Sequence, residues 1–82
     1  MQMTATTTPL ERNAEKIYQA LRGLGEGWHG RSAIARQMER QKLTPGLVSG
    51  LEFLVTQGRV IAERHELPDS PIPVRWEYRI AQ

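Results

Sequence analysis

Apolar positions recur along this chain with changing periods, and each change of period marks a new element. From Leu10 they fall at Ala14, Ile17, Leu21 and Leu24, steps of four and three that line one face of a 3.6-residue helix. "TPLE" supplies the start. Thr8 can cap, Pro9 suits a first helical position that needs no N–H, and Glu11 stands at capping-box distance. Gly23, Gly25 and Gly27 end this helix. Trp28 and His29 are then expected in a brief extended segment. A short second helix follows, predicted over Arg31 to about Arg40 with Ile34, Ala35 and Met38 as its apolar face.

In "TPGLVSGLEFLVTQGRV" the capping device repeats, with Thr44 as cap and Pro45 as first residue of a third helix. Leu47, Val48, Leu51, Leu54 and Val55 are its expected buried stripe, and Gly58 is placed to take the left-handed conformation that stops it. The period then falls to two. Val60 to Arg64 and Val74 to Ile80 read as strands of a hairpin, with Trp76, Tyr78 and Ile80 alternating against Arg75, Glu77 and Arg79. Between them "HELPDSPIP" carries Pro68, Pro71 and Pro73, which cannot donate ladder hydrogen bonds and so mark a stiff, extended loop.

Three helices, a short strand near Trp28 and a closing two-stranded hairpin make an α+β chain. Over about residues 9 to 81 its order of elements resembles the winged helix-turn-helix superfamily. "RSAIARQM" matches the helix before the turn, "LEFLVTQGRV" the end of the third helix entering the first wing strand, and "WEYRI" the returning strand. The resemblance implies a DNA-binding domain, a small transcription-related regulator, with the third helix in the major groove and the wing beside the phosphates. One domain is expected over residues 8–82, preceded by a polar, threonine-rich arm over 1–7 whose simplest reading is a disordered tail.

Composition narrows the chemistry. Cysteine is absent, which removes disulfides, thiolate metal sites and cysteine nucleophiles and is compatible with a reducing cytoplasm. No apolar run reaches membrane-span length, and "MQMTATTT" has neither a charged n-region nor an apolar h-region, so a cytoplasmic chain without membrane contact is expected. His29 and His65 lie far apart without neighbouring ligands, which points to no metal site. Ser32 lies near His29, but a helix-start serine accounts for it and neither an orienting acid nor an oxyanion donor is evident. An enzyme, a cofactor and a small-molecule substrate are therefore not expected.

Charge is uneven. Residues 1–43 carry seven Lys or Arg and four Glu, a net +3, whereas residues 44–82 carry four Arg and five acids, a net −1. DNA affinity rests on phosphate neutralisation, so the attraction is expected from Arg31, Arg36, Arg40 and Lys42 around the second helix, with Arg59, Arg64 and Arg75 at the base of the wing. On the third helix the face opposite its stripe carries Gly46, Ser49, Gly50, Phe53 and Thr56. That face is smooth and uncharged. Thr44, Gly46 and Ser49 are its candidate DNA contacts, and base readout through them is thin because Arg, Lys, Asn and Gln are missing from its first turns.

A second hypothesis uses the same face differently. Gly46, Ser49 and Gly50 would let another backbone approach and Phe53 would anchor it, giving a protein-interaction or dimerisation module on a winged helix. Structural alternatives stand beside it: the glycines could contact the wing, and Phe53 could lie beneath the wing loop against Leu67 or Ile72. Trp28, Trp76 and Tyr78 are expected as core aromatics joining the short strand to the hairpin, in preference to stacking platforms for single-stranded nucleic acid. A homodimer is expected if DNA is bound with specificity, since one small domain contacts few base pairs.

Overall fold

The structure, a computed structural model, describes residues 8–69, 71 and 74–81. The expected N-terminal arm over 1–7 and the proposed Phe53 contact with Ile72 lie outside the described residues. The elements follow in the order α1 (Pro9–Leu24), β1 (His29–Gly30), α2 (Arg31–Gln37), α3 (Pro45–Thr56), β2 (Val60–Glu66) and β3 (Val74–Ile80). This is a mixed α+β arrangement of three helices and one three-stranded antiparallel sheet, with strand order β1-β3-β2.

Local chemistry sets the helix ends. Thr8 Oγ1 accepts from the Glu11 N–H at 3.1 Å while Glu11 Oε1 accepts from the Thr8 N–H at 3.0 Å, a complete capping box. Thr44 Oγ1 likewise accepts from the Leu47 N–H at 3.2 Å. α3 stops in a Schellman motif: Gly58 has φ 78°, its N–H donates to Val55 O at 3.0 Å, and the Arg59 N–H donates to Leu54 O at 3.0 Å.

α2 closes in the same way without a glycine, and it closes early. The Glu39 N–H donates to Arg36 O and the Arg40 N–H to Ala35 O, both at 2.9 Å, with Glu39 at φ 60°. The helix therefore ends at Gln37 rather than near Arg40. At β2 the correction runs the other way. The strand extends past Arg64 to Glu66 because its whole length pairs with β3, from Val60 opposite Ile80 to Glu66 opposite Val74. Ladder hydrogen bonds outweigh the low strand preference of the glutamates.

The core gathers Ile17 and Leu21 from α1, Ile34 from α2, Leu51 and Leu54 from α3, Val60 from β2 and Tyr78 from β3. α3 is turned about its axis relative to the expected stripe. Leu47, Leu51 and Leu54 are buried as expected, but the fourth buried residue is Gly50, and Val48 and Val55 are only half-buried. A Cβ on Gly50 would meet the backbone of Asn13 and Ala14 at 2.7–2.8 Å. The close approach that Gly46 and Gly50 permit is thus to α1, not to the hairpin, and Phe53, half-buried beside them, packs on the core.

The aromatics divide. Tyr78 is buried, as expected. Trp76, two residues earlier on the same face of β3, is 49% exposed, because the helices cover Tyr78 and leave the strand beyond it open. Trp28 is half-buried on the opposite face of the sheet, with His65 edge-on at 5.3 Å between ring centroids.

Candidate nucleic-acid interface

Arg31 opens α2 directly after β1, so β1 pairing with β3 carries its side chain to the sheet. There its Nε donates to the Tyr78 hydroxyl at 3.1 Å, across 47 residues of sequence, and its guanidinium lies 6.0 Å from the Tyr78 ring centre. The early end of α2 returns the chain so that Lys42 approaches the helix start. Arg31, Ser32, Lys42, Leu43 and Val48 line a hollow of about 170 Å³ between the beginning of α2 and the first turns of α3. Two cations separated by ten residues of chain thus flank one concave surface. Val48 reaches the hollow because the turn of α3 described above leaves it half-buried.

The other expected DNA contacts scatter around this hollow. Arg36 and Arg40 are exposed beyond it and, among the described residues, neither they nor Lys42 form an ion pair. The Thr44 oxygen is taken up as the α3 cap, which leaves its O–H as a donor. Gly46 faces the Asn13 side chain, while Ser49 lies on the outward face of α3 with Glu52 and Thr56. Arg64 is exposed and stands opposite Trp76 in the ladder. Arg75 lies on the other face of the hairpin, against Gly30, with its Nε 3.8 Å from Glu77 Oε2.

Arg59 does not belong to this surface. Its guanidinium lies 4.1 Å from the ring centre of Tyr18 and 3.9 Å from Glu15, so it is tied to α1. The α3 face proposed for a protein partner is also spent in part. Gly50 is buried under α1 and Phe53 is half-buried on the core, which leaves Ser49 and Gly46 as its exposed members.

Outside the hollow, one polar cluster escaped sequence reasoning. Glu63 and Glu77 stand directly opposite in the β2–β3 ladder, an unfavourable placement for two like charges. His65 bridges them, with Nε2 2.7 Å from Glu63 Oε1 and Nδ1 on Glu77 Oε1. These hydrogen bonds, that to Glu63 foremost, raise the imidazole pKa above its ordinary 6.5. The i, i+2 spacing of Glu63 and His65 was the available signal, but their partner across the sheet required the register.

Each carboxylate meets a different ring nitrogen, so the three groups share no common point for a cation. Among the described residues no group of His, Asp or Glu is placed to hold a metal ion. His29 Nε2 donates to the Gly25 carbonyl at 3.1 Å, and no hydrogen bond joins it to Ser32. No described helix is long and apolar enough to cross a membrane. A wider hollow of about 460 Å³ between the end of α1 and the end of β3 is walled by Arg22, Glu26, glycine backbone and Arg79, whose guanidinium already lies over Trp28.

Fold and site together define a small mixed α+β domain with an arginine- and lysine-flanked hollow beside its third helix. Comparison with protein-family models, curated proteins and solved structures gives no match to this chain.

Proposed function

We propose that this chain is a winged helix domain that binds duplex DNA chiefly through its phosphates, with α2 and the start of α3 against the backbone and the β2–β3 hairpin as the wing. The element order and the β1-β3-β2 sheet support the fold assignment. The observation that carries the DNA reading is the convergence of Arg31 and Lys42 on one concave surface beside the N-terminal turn of α3, with Arg36 and Arg40 exposed alongside. Cations spaced around a helix start neutralise phosphates and release counterions, which is the sequence-independent share of DNA affinity. Base readout stays thin. The outward side of α3 offers Ser49, Glu52 and Thr56, and of these only the hydroxyls suit phosphate or most base edges.

Anisotropy titration of labelled duplex across a salt series tests this reading. Lys42→Ala, which removes no side-chain hydrogen bond among the described residues, should weaken binding and flatten the salt dependence by about one unit. Arg36→Ala combined with Arg40→Ala should flatten it by up to about two units. Affinity and slope that survive all three substitutions would exclude the α2 surface.

A further inference from the structure

Trp76 is the large aromatic that the helices leave uncovered. On the same face of β3, Tyr78 is buried by the helices, and Trp76 extends past them with 49% of its surface in solvent. Its surroundings on that face carry two arginines and one glutamate. Arg64 stands directly across the ladder, and the Tyr78 hydroxyl holds Arg31 one step along the strand. Glu66, opposite Val74, marks the outer limit of this run.

We infer that the Trp76 ring stacks on one unpaired base, so that the nucleic acid this chain prefers is a duplex continued by a single-stranded segment rather than a blunt duplex. Within a duplex the base faces are covered by their neighbours and only edges and backbone are offered to a protein. A flat indole finds its complement in the face of a base that has left the stack, and such stacking tolerates any sequence. Arg64 across the ladder and Arg31 at Tyr78, one step along the strand, suit the phosphates that flank a splayed base, as in other aromatic and cationic single-strand grooves. An uncharged apolar partner would leave Arg64, which forms no ion pair among the described residues, without a counterpart. This inference rests on the nucleic-acid reading above and specifies the form of nucleic acid.

Three labelled probes test it: a blunt duplex, the same duplex carrying a short oligothymidine tail, and the tail alone. Wild-type protein should bind the tailed duplex at least about fivefold more tightly than the blunt one, the low end of what one base–aromatic stack contributes. Trp76→Ala, shown folded by circular dichroism, should abolish that gain while blunt-duplex affinity is retained, and Trp76→Phe should keep most of it. Equal wild-type affinity for tailed and blunt duplex overturns the inference and leaves the duplex reading intact. Equal weakening of both by Trp76→Ala also overturns it, making the indole a duplex contact. Trp76-dependent binding of the tail without any binding of blunt duplex sustains the stack and overturns the duplex reading. Failure to bind all three probes overturns both.

Discussion

Gly50 of α3 rests directly on Ala14 of α1: a Cβ at Gly50 would lie 2.7 Å from the Ala14 backbone nitrogen. The third helix reaches this distance because it presents hydrogen where other residues present a methyl group, and the partner is main chain that no rotamer change can move aside. Gly50→Ala should therefore destabilise the domain by about 1–3 kcal/mol, the range for overpacking, despite a helix-propensity gain of about 1 kcal/mol. Gly46→Ala meets the Asn13 amide nitrogen at 3.0 Å, the end of a movable side chain, and the Thr44 hydroxyl at an ordinary 4.0 Å. It should be neutral or stabilising by up to about 1 kcal/mol. Urea denaturation of the two variants checks the contrast, and equal effects would refute the close α1–α3 crossing.

Glu39 occupies the left-handed position that closes α2, at φ 60°, where a Cβ crowds the following carbonyl. Glu39→Gly should remove that crowding. The greater freedom of glycine in the unfolded chain offsets part of the gain, so a net stabilisation of about 0.5–1 kcal/mol is expected. A destabilised variant in chemical denaturation would mean that the Glu39 side chain contributes something its exposure does not suggest.

His65 should make stability depend on pH with a definite sign. Its folded-state pKa is raised above 6.5 by hydrogen bonds to Glu63 and Glu77, so the imidazolium contributes fully below 6.5 and its contribution is lost as pH rises through the folded value. Melting temperatures of the wild type and His65→Gln at constant ionic strength should diverge most at acidic to neutral pH and converge above it. The imidazole resonances should titrate with a midpoint above 6.5. A constant difference across the range, or a midpoint below 6.5, would remove the bridging role.

Glu52 is the exposed acid on the outward face of α3. If that face lies against a duplex, Glu52→Lys should raise affinity several-fold at low salt and steepen the salt dependence by about one unit. Unchanged binding by a protein that otherwise recognises duplex would turn α3 away from the DNA and leave α2 as the contact surface.

The chain by itself determined the type and order of its elements. Both Thr-Pro starts, the capping box at Glu11, the stop at Gly58 and the period-two strand around Tyr78 are signals carried within a few residues, and the structure realises each of them. Tertiary structure decided the faces. A helical wheel centred on Leu47, Val48, Leu51, Leu54 and Val55 puts Gly50 outside, yet α1 approaches on the glycine side. Gly50 lets the two backbones approach there while Val48 and Val55 stay half-buried, and no local pattern encodes that choice.

The sheet decided the rest. Alternation along β3 marks Trp76 and Tyr78 as equivalent, and only the reach of the helices over the strand makes one core and the other surface. The joining of Glu63, His65 and Glu77 depends on strand register, and that of Arg31 with Tyr78 on β1 meeting β3. These contacts span 12 and 47 residues of sequence. Local patterns record which residues prefer to be helical, extended or buried, but a contact across such a separation exists only once the elements have closed on one another.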